Sequence, residues 1–345
     1  MQAVVLVGGV GTRLRPLTLT QPKPAITLVD RPFIRYMVDW LGHHGISEVI
    51  MACGFRAEDL RMALGDEVPG GPSIRYIQED EPLGTAGPVR LAADRGLLGE
   101  RFMVLNGDVL TDLDLTALQR QHAETGAAIT LALYSVDDPS SYGLVRRTEE
   151  GEVLGFLEKP DPSEIDTDEV SAGAYVIEAS VLDLIPAGRA VSIEREVFPR
   201  LVGHGLYGRR LQGYWMDIGT PERYLQASWD ILEGRVATEV EPTAPGLFVG
   251  AGAELAAEAS IGPRAVIGPC CSVAGGALVA DSVLLDGCRI CSGAEVRGAI
   301  LAPAAEVGEG ARIAPGAVLG RGAVVGPGAE ISEDARVPPA EAVSR

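Results

Sequence analysis

Four charged side chains and three glycines stand where they could handle a polyphosphate. Gly8, Gly9 and Gly11 come directly after an apolar run at 3–7, and Thr12, Arg13 and then Lys23 follow them. A buried strand that empties into near-adjacent glycines leaves backbone N–H groups bare and able to wrap anionic oxygens. Arg13 and Lys23 add fixed positive charge there. Asp108 follows the apolar run 101–105 and an Asn-Gly pair, and Asp217 lies in Trp-Met-Asp-Ile-Gly-Thr-Pro-Glu, so each carboxylate ends an apolar stretch. Mg²⁺ is usually held by one or two such carboxylates plus substrate phosphates. The set points to phosphoryl or nucleotidyl transfer.

Two familiar phosphate loops are excluded. No Gly-Lys-Ser/Thr closes the glycine run, and Leu14 stands where a dinucleotide fingerprint needs glycine. Instead Gly-Gly-x-Gly-Thr-Arg-Leu-x-Pro-Leu-Thr, with Lys23-Pro24 a few residues on, resembles the signature of the sugar-1-phosphate nucleotidyltransferases.

The resemblance covers nearly the whole chain and implies a division of labour. Arg13, Lys23, Asp108 and Asp217 would be the catalytic set, with Mg²⁺ held by the two aspartates. The nucleotide would meet Leu6, Gly8, Gly9, Gly11, Thr12 and Arg13, then Gln78, Gly84 and Thr85 in Gln-Glu-Asp-Glu-Pro-Leu-Gly-Thr, and Asp108. The sugar phosphate would meet Tyr142, Gly143, Glu158, Lys159, Ser171 and Gly173. Ser171 departs from the family pattern, which commonly has Asn before Ala-Gly. Serine is shorter and lacks the amide, so one hydrogen bond to the sugar is lost or carried by water.

Three motifs, Glu-Pro-Leu-Gly-Thr-Ala-Gly-Pro, Ser-Ile-Glu-Arg-Glu-Val-Phe-Pro at 192–199 and Trp-Met-Asp-Ile-Gly, most resemble the branch that joins GTP to mannose 1-phosphate. Thymidylyl- and uridylyl-transferring relatives share the glycine loop and both aspartates, so they stay open as alternatives. Guanine's N1 and N2 donors suit a carboxylate, and residue types do not rank Glu79, Asp80 and Glu81 for that task. A third alternative is a non-catalytic subunit that binds NDP-sugar and regulates a partner. Such a chain is expected to lose part of the charge set, which is intact here.

These residues need a scaffold. Runs at 3–7, 49–52, 73–78 and 102–106 read as strands and 33–43, 85–94 and 115–124 as helices, the alternation of an α/β sheet. Ligands of such sheets collect beyond the carboxyl ends of the strands, where the glycine loop and the turn 106–108 fall. The expected fold is a Rossmann-like, mostly parallel α/β nucleotidyltransferase domain at 1–234, a linker at 235–246, a left-handed parallel β-helix at 247–338 and a tail at 339–345.

The β-helix is read from a six-residue repeat. Aliphatic residues recur at Val249, Leu255, Ile261, Ile267, Val273, Val279 and Leu285, with Cys291 next; after a break the series runs from Leu301 through Val307, Ile313, Leu319, Val325, Ile331 and Val337. This frame puts Cys291 in an inward slot and Cys271 in a small-residue slot. Core packing is then expected for both, rather than a zinc site built with Cys270 and Cys288. All four histidines precede the repeats, which argues against an acyltransferase. Assembly or regulation is the expected role, with a homo-oligomer as the partner state.

A length of 345 residues suggests two domains. The net charge of −19 argues against nucleic acid, while a local cation cluster still suits an NTP and a sugar 1-phosphate. No apolar run approaches a membrane span, and the first strand leaves no room for a leader. With five cysteines in a large chain, a cytoplasmic protein without disulfides is expected.

Overall fold

The computed structural model describes residues 1–54 and 56–344. Its contacts gather the chain into two compact units, one of residues 1–9 and 37–215 and one of residues 10–36 and 216 onward.

The first unit is built on a sheet of nine strands among the described residues. Gln2–Leu6 lies between Glu48–Cys53 and Arg101–Asn106, parallel to both, and Ser73–Gln78 extends the parallel side. Ala3, Val4 and Val5 are fully buried, as expected of an unbroken apolar strand covered on both faces. Register sets Leu6 opposite Ala52 and Asn106, so the carboxyl ends of neighbouring strands finish level. The helices Phe33–His43, Gly87–Asp94 and Leu115–Thr125 agree with the sequence reading to within two residues. Asp114 caps the last of these by accepting from the Ala117 N–H at 3.0 Å, and Gly126 ends it with φ +61°.

Beyond Arg101–Asn106 the sheet turns antiparallel. Glu169–Glu178 pairs antiparallel with Arg101–Asn106 and with Ile129–Ser135, and Gly143–Arg147 and Val153–Glu158 form an antiparallel hairpin at the edge. Among the described residues, only Leu206–Arg210, beside Ile129–Ser135, is parallel in this half. The long strand carries an irregularity between Ser171 and Tyr175, a bulge of the kind that re-aims side chains near active sites.

In the second unit residues 247–343 wind through three parallel sheets of six, six and five strands, a parallel β-helix. Ile267, Val273, Val279, Leu301, Val307, Ile313, Leu319, Val325, Ile331 and Val337 point into its core as the repeat predicts. Between 279 and 301 the frame differs. Ile267 pairs with Leu284, Val273 with Ile290 and Val279 with Val296, and Leu284, Ile290 and Val296 fill the core. Leu285 and Cys291 are therefore not the inward residues.

The cause is two corners, at Asp281 and Gly298, each one residue shorter than a six-residue frame requires; both adopt positive φ, +50° and +57°. The strands never stop, so the apparent break in the repeat is a slip of register. Cys271 and Cys288 are core residues whose thiols donate to the Leu285 and Ala302 carbonyls at 3.1 and 3.3 Å. The coil continues past 338, since Ala342–Val343 pairs with Val324–Val325.

One face of this β-helix is covered. Val266, Val283, Ile300 and Val318, the neighbours of inward residues, are themselves buried. The helix Pro221–Leu232 of the same unit lies against it: the Arg264 guanidinium is 5.8 Å from the centre of the Trp229 ring. Each side chain removed from water there is worth roughly 1.5–3 kcal/mol. Among the described residues, no helix is long and apolar enough to cross a membrane.

Candidate active site

Of the residues expected to meet the nucleotide, the first unit holds Leu6, Gly8, Gly9, Gln78, Gly84, Thr85 and Asp108, at or just past the level carboxyl ends of the sheet. Past Leu6, the Val7 N–H donates to the Ala52 carbonyl and the Gly107 N–H to the Leu6 carbonyl, both at 2.9 Å. A side chain on Gly107 would sit 2.4 Å from Val7 Cγ1 and 2.8 Å from the Leu6 oxygen, so only glycine lets the turn before half-buried Asp108 close onto the first strand. Gly8 packs backbone to backbone on Gly54, whose Cβ would fall 2.8 Å from the Gly8 oxygen. Gly9 faces open space.

Gln78 and Gly84 are exposed. Gly84 has φ +74° and lies so close to the Val191 carbonyl that a Cβ would approach it to 2.6 Å. Thr85 donates its hydroxyl to Glu194 Oε2 at 2.6 Å and accepts the Ile193 N–H at 2.8 Å. Its hydroxyl thus ties the 83–86 segment to the 191–194 segment.

The sugar-side residues converge in the same unit. Glu158 and Gly143 are register partners, and a Cβ on Gly143 would stand 2.5 Å from Phe156 Cζ and 3.1 Å from Glu158 Oε2. The Lys159 N–H donates to the Tyr142 carbonyl at 3.0 Å, with Lys159 itself at φ +54°. Ser171 Oγ donates to the Tyr175 hydroxyl and accepts the Gly173 N–H, both at 3.4 Å, so it steadies the bulge. Gly173, φ +72°, is close against Asn106. The Tyr142 ring meets Trp215 edge-on at 5.2 Å, and Trp215 Nε1 donates to the Ala172 carbonyl at 2.9 Å.

Burial raises the Glu158 carboxyl above the usual carboxylate range, and the Glu194 charge adds to the shift, while Lys159 and Arg195 oppose it. Glu194 and Trp215 are two residues that residue types alone do not single out. The available signal for Glu194 is its place in the Ser-Ile-Glu motif; Trp215 is marked only by its neighbour Asp217.

The second unit holds Gly11, Thr12, Arg13, Lys23 and Asp217. Gly11, φ +64°, leaves no room for a side chain, since a Cβ would be 2.9 Å from Thr18 Cγ2 and 3.2 Å from Lys23 Cβ. Thr18 Oγ1 locks that turn by donating to the Gly11 carbonyl at 2.9 Å. Thr12 and Arg13 are exposed on the short turn Thr12–Leu14. The Arg13 guanidinium packs on Gly219, where a Cβ would meet Nη2 at 2.5 Å. Lys23 is 9% exposed, and lysine is rarely so buried. Asp217 Oδ2 takes Arg223 at 3.2 Å, and its Oδ1 is out of contact with solvent.

Asp108 and Asp217 offer hard carboxylate oxygens, the donor chemistry that suits Mg²⁺. Among the described residues no three acidic, histidine or cysteine side chains form a cage.

The comparisons with known proteins follow the same outline. The Nucleotidyl transferase family model matches residues 2–234, and the GMPPB C-terminal domain model matches residues 243–345. A mannose-1-phosphate guanylyltransferase of Mycobacterium tuberculosis is 39% identical over 85% of this chain and 82% of its own length. Mannose-1-phosphate guanylyltransferase 1 of Arabidopsis thaliana is 36% identical over 86% and 83%. Among solved structures, HddC from Yersinia pseudotuberculosis superposes with a TM-score of 0.58 at 26% identity, covering 67% of this chain and 99% of that one. With its first 234 residues matched almost without remainder and its relatives aligned along most of its length, the chain belongs to the nucleotidyl transferase family.

Proposed function

We propose that this chain transfers GMP from GTP to mannose 1-phosphate, giving GDP-mannose and pyrophosphate. The observation that carries the reading is the similarity, over 85–86% of this chain, to mannose-1-phosphate guanylyltransferases of two distant organisms, with every chemistry-bearing residue of the glycine loop in place.

The reaction needs no protein nucleophile. An oxygen of the sugar phosphate, already anionic, attacks the α-phosphorus in line; a new P–O bond forms as the α–β anhydride bond breaks, and pyrophosphate leaves with that electron pair. The chain then acts by positioning and by charge. The glycine-loop amides and Arg13 hold the triphosphate, and Lys23 neutralises charge on the reacting phosphates. Glu158 accepts sugar hydroxyls and Lys159 meets the sugar phosphate. Mg²⁺ bound by Asp108 and Asp217 would supply further neutralisation of the triphosphate. A homo-oligomer assembled through the β-helix and a cytoplasmic setting belong to the same proposal, the latter supported by five cysteines that are all free thiols.

The test is to incubate the protein with Mg²⁺ and each NTP against mannose 1-phosphate and glucose 1-phosphate, following pyrophosphate release and product identity. GTP with mannose 1-phosphate is expected to win. Preference for dTTP or UTP with glucose 1-phosphate would replace the substrates and keep the chemistry, and silence with every pair would favour a regulatory subunit.

A further inference from the structure

Two cysteines are stacked in the core of the β-helix. Ser272 and Arg289 are register partners, so Cys271 and Cys288, which precede them, hold the same corner slot on successive coils. The Ser272 N–H donates to the Cys288 carbonyl at 2.9 Å, which joins the two corners directly. Packing does not call for sulfur there. The coil before fills the slot with Ala253 and the two coils after with Ala305 and Ala323. Both cysteines are fully buried.

The stacking brings the two sulfurs together. Neighbouring strands lie about 4.8 Å apart, inside the roughly 4.4–6.8 Å between Cα atoms that a disulfide spans. Cys271 Sγ donates to the Leu285 carbonyl at 3.1 Å, an atom of the coil that carries Cys288, so the side chain leans toward its partner. A hydrogen bond from Cys288 holds the Cys271 thiol below its ordinary value, against the opposing effect of burial. The same contact, reinforced by burial, keeps the proton on Cys288. Cys271 is therefore the nucleophile of the pair, since the thiolate is the reactive form.

We propose that Cys271 and Cys288 are a redox-responsive pair, closed to a disulfide by hydrogen peroxide and reopened by a thiol reductant. The Cys271 sulfur attacks one peroxide oxygen; an S–O bond forms, the O–O bond breaks, and the departing hydroxide takes up the Cys271 proton as water. The Cys288 sulfur then attacks the Cys271 sulfenic acid. An S–S bond forms, the S–O bond breaks, and a second water carries away the Cys288 proton. Two thiols are oxidised as one peroxide is reduced to two waters. Peroxide is close to water in size and needs only a local opening of the coil to enter. The product ties one coil to the next and staples the β-helix.

The experiment treats the full chain with hydrogen peroxide, alkylates it in denaturant and maps its peptides without reduction. Cleavage at Asp281 separates the two cysteines. A peptide pair linked through Cys271 and Cys288 is expected, with a melting temperature raised by about 5 °C and both changes reversed by dithiothreitol. The link is expected to persist in Cys270→Ser and to vanish in Cys271→Ala and Cys288→Ala, which carry the residue that neighbouring coils already use. A parent that forms no link while Cys270 and Cys291 are oxidised overturns the proposal. So does a link that survives Cys271→Ala or is lost in Cys270→Ser, because it would belong to Cys270. A linked chain that melts no higher than the reduced one overturns the stapling. If the alanine variants do not fold, the parent and Cys270→Ser decide.

Discussion

The hydroxyl of Tyr224 donates to the carbonyl oxygen of Thr27. Tyr224 belongs to the helix packed on the β-helix, and Thr27 follows the turn Lys23–Ala25, whose Lys23 carbonyl accepts the Ile26 N–H at 3.1 Å. One packed unit therefore runs from the repeats through a helix to the turn that carries the candidate catalytic lysine. The β-helix is thereby linked to the placement of that lysine. Tyr224→Phe removes one hydrogen bond, about 1 kcal/mol, and is expected to lower kcat by about 5-fold with KM for GTP unchanged. Steady-state kinetics that leave kcat intact would remove the link between helix and lysine.

Lys23 is the strongest single test of the proposed chemistry. Lys23 is buried with its Cβ beside Gly11, and fixed charge at the reacting phosphates is what the proposed mechanism asks of it. Lys23→Ala is expected to lower kcat on the order of 10²–10³-fold, as when one charge-stabilising donor is removed. Near-normal pyrophosphate release would contradict the role.

Gly107 allows the Asn106–Asp108 turn to close on the first strand. An alanine there must displace Val7 or the Leu6 carbonyl, and the core on both sides is tightly filled. Gly107→Ala is expected to cost roughly 1–3 kcal/mol of stability and to shift Asp108, so urea midpoint and activity fall together. A variant with the parent's midpoint would show that the turn relaxes freely.

Glu158 gives a pH signature. Burial and then the Glu194 charge hold its carboxyl above the ordinary value, so the folded chain binds that proton more tightly than the unfolded chain does. Its contribution to stability is complete below the ordinary value and is lost as pH rises through the raised one. A protonated Glu158 is also a poorer acceptor for sugar hydroxyls. KM for the sugar phosphate is expected to rise as pH falls through the raised value, and Glu158→Gln is expected to flatten that profile. An identical profile in the variant would assign the titration to another group.

Much of this was legible because short-range chemistry dictates it. The glycine loop, the strand ends and the acidic residues that follow them are local patterns, and the structure sets Gly8, Asp108, Glu79 and Gly84 around neighbouring strand ends. The antiparallel half of the sheet was not legible, because strand direction depends on partners far along the chain. Glu194 escaped for the same reason: its bond to Thr85 joins residues more than a hundred positions apart. That Glu79 is buried while Asp80 and Glu81 are exposed depends on the register of two strands, which residue types do not carry.

The slipped repeat is the clearest case of a local rule failing for a physical reason. A six-residue frame assumes every corner has the same length, and the corners at Asp281 and Gly298 do not. The frame reading makes Cys291 an inward residue, while the structure leaves it half-buried outside the core, with Cys53, Cys271 and Cys288 buried and Cys270 exposed. Thiol chemistry separates the two, since reactivity requires access. A native-state titration with an aromatic disulfide reagent is expected to label Cys270 and Cys291 ahead of the three buried thiols, and all five in denaturant. Protection of Cys291 equal to that of Cys288, located by peptide mapping, would return it to the core and restore the uninterrupted six-residue frame.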